Sequence, residues 1–318
     1  MRNWDKLAGS WVRTMALGAM VAGVGIVGCG QKVAVNEQPG KQEGGNKEAT
    51  PVAKANPSTP STPETPGKKE TPDAPAEKDF LHQSFVDATR NADNPPADEK
   101  QPPDLTIASK PTFQLLKDLQ KSWDSIRFYD SKKVAINYTA VVETGLGTFE
   151  IELKPEFAPN HVRNFIALSR LGYYDSLLVD RIHHEVSQVS TDAPALKLDM
   201  IEMGCPMGTG EVPSGSIGYW LRPEFNDKVK HEEGTVGFCR GSEPDSASTR
   251  FYVTLDQAPL LDGNFTIVGK VKSGLDVVRK IARQPVIIDD ADQSGSHRPE
   301  SQILIRKVTI KTDAAETK

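Results

Sequence analysis

Cysteine is scarce in this chain: Cys29, Cys205 and Cys239 are the three among 318 residues. A fold stapled by several disulfides is excluded, because at most one pair can form. The zinc spellings are missing too. No CxxC, HExxH or paired His–Cys spacing occurs, so neither a metal site nor a cofactor is expected. The run Asp289-Asp290-Ala291-Asp292 lacks EF-hand spacing and reads as a solvated loop. A surplus of positive charge is also absent. With 38 Lys and Arg against 43 Asp and Glu, the net charge is −5, which gives no basis for a nucleic-acid partner. Finally, no apolar run reaches the ~20 residues that a membrane-spanning helix needs.

What is present begins with a targeting segment. Arg2, Lys6 and Arg13 precede the charge-free apolar run Met15 to Gly28, which is too short to span a bilayer. The run ends in Ile26-Val27-Gly28-Cys29, which resembles the bacterial lipobox. That resemblance implies cleavage after residue 28 and lipidation of Cys29. Acyl chains contribute about 0.8 kcal/mol per buried CH₂, so several on one cysteine anchor stably. The expected location is membrane-anchored and extracytoplasmic, on the periplasmic side. Residues 29–78, with PSTPSTPETPGKKETPDAPAEK, are Pro-, Thr-, Ser-, Glu- and Lys-rich and carry little to bury. A disordered tether is expected there.

Residues 79–132 read as a helical extension. Asp79 to Arg90 sets Phe80, Leu81, Phe85 and Ala88 on one helical face, and a Pro-rich break spans Pro95 to Pro103. Thr112 to Arg127 then carries Leu116, Leu119, Trp123 and Ile126 as an amphipathic stripe, expected to pack on the chain's own domain.

The folded core is expected from near Lys133 to residue 312, with a short tail after it. Val134–Glu143 and Thr148–Leu153 are strand-like around Thr144-Gly145-Leu146-Gly147, a hairpin signal. Ala158–Arg170 reads as a helix, with Pro159 in its first turn and Gly172 at its stop. Val162, Phe165, Ile166 and Ser169 mark its inward face. Short strands and Gly-rich turns continue to Asp262-Gly263. A helix at Leu275–Ala282 buries Leu275, Val278 and Ile281, and Ser301–Ile310 is a closing strand. Many short strands with two helices predict a mostly β fold: a closed antiparallel β-barrel capped by helices. Cys205 and Cys239 are left as either a disulfide or two buried thiols; spacing does not choose between them.

Four blocks carry a family resemblance. They are FEIELKPEFAPNHVRNFIALSRLGYYDSLLVDRI, MIEMGCPMGTGEVPSGSIGYWLRPEFND, HEEGTVGFCR through STRFYVTL, and PLLDGNFTIVGKVKSGLDVVRKIA. In order and spelling they resemble the cyclophilin-type peptidyl-prolyl isomerases, over about Tyr138 to Ile310. The resemblance implies that the chain isomerises Xaa-Pro bonds of extracytoplasmic proteins and so assists their folding. An alternative is a proline-peptide binding module with weak or no turnover. It also implies that Arg181 is the catalytic arginine, and that Met200, Tyr252 and Leu261 line a proline pocket. Glu202, Cys239, Arg240, Arg250 and Phe265 fall on substrate-binding positions. The expected partners are proline-containing polypeptides and, through the lipid, a membrane; a monomer is expected.

Several spellings depart from the family's. Asp199-Met200-Ile201-Glu202 stands where the family has Phe-Met-x-Gln, and Cys239-Arg240 stands for Ala-Asn. Arg250 replaces a glutamine, Tyr252 a phenylalanine and Phe265 a histidine. Extra residues, VSQVSTDAPALK, lie between Arg181 and Met200. Neutral groups have thus become charges. Glu202 and Arg250 are expected to pair, with reach to Arg181, and so preserve the shape of the site. His183 and His184 are expected to face solvent, and His297 to lie in a loop.

Overall fold

The computed structural model describes residues 81–97, 101–187, 196–210, 215–288 and 296–313. The targeting segment with Cys29, the tether, Phe80 and the Asp289–Asp292 run lie outside the described residues.

Among the described residues, alternating side chains and Gly-rich turns produce ten antiparallel strands. They are β1 (Asn137–Thr144), β2 (Gly147–Leu153), β3 (Val179–Ser187), β4 (Leu196–Met203) and β5 (Thr235–Phe238). Then follow β6 (Phe251–Thr254), β7 (Ile267–Ser273), β8 (Val286–Ile287), β9 (Ser296–Pro299) and β10 (Ile305–Asp313). Their spatial order is β10-β1-β2-β7-β5-β6-β4-β3-β9-β8. The β1–β2 hairpin turns where the Gly-x-Gly spelling places it, with Thr144 opposite Gly147. The Thr144 hydroxyl closes that turn by donating to Gly147 O at 2.8 Å.

The barrel expected from the sequence is not closed by a continuous ladder among the described residues. β10 and β8 end the strand order. Ahead of β3 and β10 the chain is joined by an isolated bridge, Leu178 with Leu304, and by the Ser176 N–H donating to Ile305 O at 2.7 Å. β3 gives that edge to β9 instead, pairing Ile182 with His297 and His183 with Ser296. The last strand starts at Ile305 rather than Ser301, since the residues before it serve this bridge.

The helices are α1 (Phe85–Ala88), α2 (Thr112–Ser122), α3 (Pro159–Arg170) and α4 (Leu275–Ala282). Instead of a helix over Asp79–Arg90, α1 is four residues long. After it the chain turns extended, because Thr89 bridges Leu221 and Arg90 N–H donates to Trp220 O at 2.8 Å. A single 3₁₀ turn at Trp123–Ser125 continues α2. The stripe Leu119, Trp123 and Ile126 docks on the chain's own domain, with Leu115 rather than Leu116 as its buried start.

α3 is buried from Asn160 to Ser169, not on one face alone. The reason is the extension, which covers the side expected to meet water. Arg163 is fully buried there, its guanidinium 4.8 Å from the Phe128 ring and 5.6 Å from the Trp123 ring. Gln83 ties the layers together: its carbonyl accepts the Trp123 indole N–H at 2.9 Å, and its side chain accepts from Asn160 at 2.8 Å. Phe85 meets Trp123 edge-on at 5.2 Å. Ala88, Leu119, Trp123 and Phe128 belong to the same core as Val142, Phe165 and Val268. The core therefore begins well before Lys133.

Candidate active site

Pleating divides the middle strands between two clusters. Ile182, Ile201, Val236 and Val253 point into the main core. Residues of the opposite parity face a smaller apolar cluster of Leu198, Met200, Cys239, Tyr252, Ala258, Leu261 and Phe265. Strand register sets the polar residues beside that second cluster. Arg181 stands opposite Glu202, Glu202 opposite Tyr252, and Tyr252 opposite Gly237. His183 stands opposite Met200 in the neighbouring row.

A bulge precedes Arg181, since the β3–β4 register shifts between Val179 and Arg181. Asp180 is the extra residue, and it is buried. Its carboxylate accepts the Cys205 backbone N–H at 2.8 Å and lies 3.6 Å from Arg250 Nε. Arg250 Nη2 donates to Glu202 Oε2, so the pair expected from the sequence is present. Both members are buried, Glu202 completely. They act from beneath the surface and do not present themselves to a peptide.

His183 completes this buried group. The reading of it as solvent-facing is corrected: its side chain is fully buried, whereas His184 is half exposed. Strand alternation explains the split, because His183 shares the face of Arg181. His183 Nε2 lies 3.0 Å from Glu202 Oε1 and 3.2 Å from Ser296 Oγ, while Nδ1 lies 3.4 Å from Glu185. The Nε2–Glu202 approach is an ion-pair contact rather than an aligned hydrogen bond.

The charges follow from these neighbours. Burial opposes ionisation of Glu202, but Arg250 and His183 outweigh it and hold the carboxyl down at about 2. Burial likewise opposes a charged His183, yet Glu202 and Glu185 draw it up to about 9. Asp180 goes the other way; burial lifts it to about 7, against the pull of Arg250. Glu202 is thus balanced by two cations of the chain's own.

Arg181 lies at the edge of this group, half-buried. Its Nη1 donates to Ser296 O at 3.0 Å. Its stem runs against Gly210, where a Cβ would come within 2.5 Å of Arg181 Cγ and where φ is +67°. Only glycine fits both the backbone and the arginine there.

The apolar cluster brings together Met200, Cys239, Tyr252, Leu261 and Phe265, all named from the sequence. Tyr252 keeps its added hydroxyl satisfied, since His231 Nε2 lies 2.8 Å from it and His231 Nδ1 lies 2.8 Å from Asp262. Gly237 makes room for that ring: a Cβ would sit 2.2 Å from the Tyr252 oxygen. Arg240 lies with its guanidinium 4.6 Å from the centre of the Phe265 ring. Asp199 does not join the pocket; its carboxylate meets His184 at 2.6 Å.

The sequence reading missed Asp180, His183, His231, Gly237 and Ser296. For His183 a signal existed, its spacing of two from Arg181 on a strand. Ser296 and His231 come from distant segments and carry no local sign; His297, read as loop, is in fact in β9.

Chemically, the site offers an arginine beside an apolar surface. Cys205 and Cys239 are two buried thiols, and burial pushes both up, so neither supplies a thiolate. Among the described residues, no group of His, Cys, Asp and Glu is arranged to hold a metal.

Comparison with known proteins gives a consistent picture. Residues 139–310 match the sequence profile of the cyclophilin type peptidyl-prolyl cis-trans isomerases. A Neurospora crassa protein named peptidyl-prolyl cis-trans isomerase-like 1 is 33% identical over 169 residues, 53% of this chain and 91% of the relative. A peptidyl-prolyl cis-trans isomerase of Arabidopsis thaliana is 31% identical over 169 residues, 53% of this chain and 91% of its own. Among solved structures, a cyclophilin type isomerase of Cryptosporidium parvum aligns with a TM-score of 0.45 at 23% identity, over 56% of this chain and 99% of that one.

Proposed function

The chain belongs to the cyclophilin-type peptidyl-prolyl cis-trans isomerase family, and from that premise we propose that it isomerises Xaa-Pro bonds with Arg181 as the catalytic group. Amide resonance sets a barrier of about 20 kcal/mol to this rotation. Lowering it takes no nucleophile. As the bond twists, the prolyl nitrogen recovers a lone pair, and a fixed N–H donor nearby stabilises that twisted state more than the planar one. Arginine suits the task, because its guanidinium stays charged and its donors are rigidly arranged. The proline ring would rest on the cluster of Met200, Tyr252, Leu261 and Phe265.

The observation that carries this reading is the placement of Arg181 on the same sheet face as that cluster, across from Glu202 and Tyr252. Glu202 supports it by facing Arg250 and His183, which limits its pull on the charge of Arg181. The test is isomerisation of a chromogenic Xaa-Pro peptide by the purified chain and by Arg181→Ala. A loss of about 10²–10³ in kcat/KM is expected for the variant. Equal rates at the uncatalysed level for both would leave only proline-peptide binding.

The place of action belongs to the same proposal. The Ile26-Val27-Gly28-Cys29 spelling supports a lipid anchor at Cys29 and work on extracytoplasmic, proline-containing polypeptides. Incorporation of labelled acyl chains into the chain but not into Cys29→Ser tests it; labelling of both would reject Cys29 as the anchor.

A further inference from the structure

Arg240 follows β5 and sits at the rim of the apolar cluster. Phe265 is buried while Arg240 is partly exposed, so the guanidinium, 4.6 Å from the ring centre, lies on the solvent side of that ring. It also lies 6.0 Å from the Phe225 ring. Its Nε donates to Asn264 O at 2.8 Å, and its Nη1 to Gly241 O at 2.9 Å and Ser242 O at 3.3 Å. These acceptors are neutral carbonyls. Among the described residues, Arg240 forms no ion pair, and its Nη2 has no hydrogen bond. The carboxylates on neighbouring elements are engaged elsewhere: Glu202 with Arg250, Asp199 with His184, and Asp262 with His231. Arg240 therefore keeps a positive charge, with one amino group unspent, at the lip of the surface meant for proline.

Such an arrangement has a chemical complement. A guanidinium over an aromatic face is held loosely compared with one bonded to a carboxylate. A peptide carboxylate arriving at the rim offers Arg240 the anionic partner that the protein withholds.

We propose that Arg240 makes this site select proline peptides that carry an aspartate or glutamate beside the proline. This rests on the isomerase reading above and adds the substrate class to it. A lysine in the same place meets like charge and is disfavoured.

The test uses the purified chain and chromogenic peptides that differ only in Glu, Gln or Lys, placed in turn before and after the proline. At low ionic strength kcat/KM is expected to fall in the order Glu, Gln, Lys at one or both positions, with Glu about tenfold over Gln. In Arg240→Gln the Glu-to-Gln ratio should fall to within about twofold, provided its thermal unfolding shows it folded. Arg240→Lys, which keeps charge but loses the fork and the stacking, should retain part of the ratio. Added salt should shrink the ratio in the unaltered chain. The same ratio in the chain and in Arg240→Gln, or no preference at either position, overturns the proposal. If no peptide is isomerised, the isomerase reading falls by itself; equilibrium binding of the same peptides, Glu against Gln, then decides the role of Arg240.

Discussion

Arg250 and Glu202 meet beneath Arg181 with both charges out of water, the guanidinium donating directly to the carboxylate. Two charges here take positions where the resemblance implies neutral amides. The substitution is tolerable only as a pair, because either charge alone loses its directly bonded counterion, leaving Glu202 to His183 or Arg250 to the more distant Asp180.

The first prediction follows from that. Glu202→Gln or Arg250→Gln alone should cost about 3–5 kcal/mol in urea unfolding. The double substitution restores a neutral pair and should cost much less than the sum, a clear non-additivity in a double-mutant cycle. Additive costs would show that the two do not act as a unit.

A pH dependence of stability is expected from His183. Its folded pKa of about 9 exceeds the ordinary 6.5, so folding takes up a proton. That stabilisation is complete below about pH 6.5 and is lost as pH rises through about 9. Asp180, raised from 3.8 to about 7, works in the same sense over its own lower range. The unfolding free energy should therefore fall by about 1–3 kcal/mol between near-neutral pH and about 9. His183→Gln should flatten the upper part of that fall. A wild-type profile flat across this range would refute the charged state assigned to His183.

Tyr252→Phe removes the hydroxyl that meets His231 and leaves a buried ring nitrogen without that partner. A loss of about 1–2 kcal/mol is expected, although phenylalanine is the residue that the resemblance implies there. Unchanged or higher stability would mean that His231 finds another partner.

Trp123→Ala should lower stability by about 3–5 kcal/mol, the cost of emptying a large buried site. The indole is fully buried, and it also covers the guanidinium of Arg163. An effect under about 1 kcal/mol, the size of a surface substitution, would place the extension outside the cooperative unit.

How much of this was legible depends on how local each signal was. The helix at Pro159–Arg170 could be read because proline, an apolar stripe and a glycine stop all lie within it. Arg181, Met200, Tyr252 and Leu261 came from motif spelling, and the structure gathers the last three in one cluster. The Glu202–Arg250 pair came from the family resemblance, which brings both positions to one arginine, together with their opposite charges. What the sequence hid was tertiary. Asp79–Arg90 has a helical stripe, but pairing with Leu221 pulls the chain extended after Ala88. The burial of His183 needs Ser296 from a strand over a hundred residues away. Likewise α3 showed one apolar face, and only the packed extension explains why Arg163 on the other side is dry.

The two bonds at Gln83 have a mechanical side. If the lipid anchor proposed at Cys29 holds the chain, tension comes from its N-terminal end and enters the described fold at Leu81, His82, Gln83 and Phe85, where His82 already faces Asp124 at 3.3 Å. It loads the Trp123 indole bond, the Asn160 amide and the edge-on contact with Trp123. These belong to the extension and α3, while Arg181 is carried by β3. Under such a load the first links to yield would be side-chain contacts at the N-terminal end of the described fold, leaving β3 and Arg181 behind a sacrificial layer.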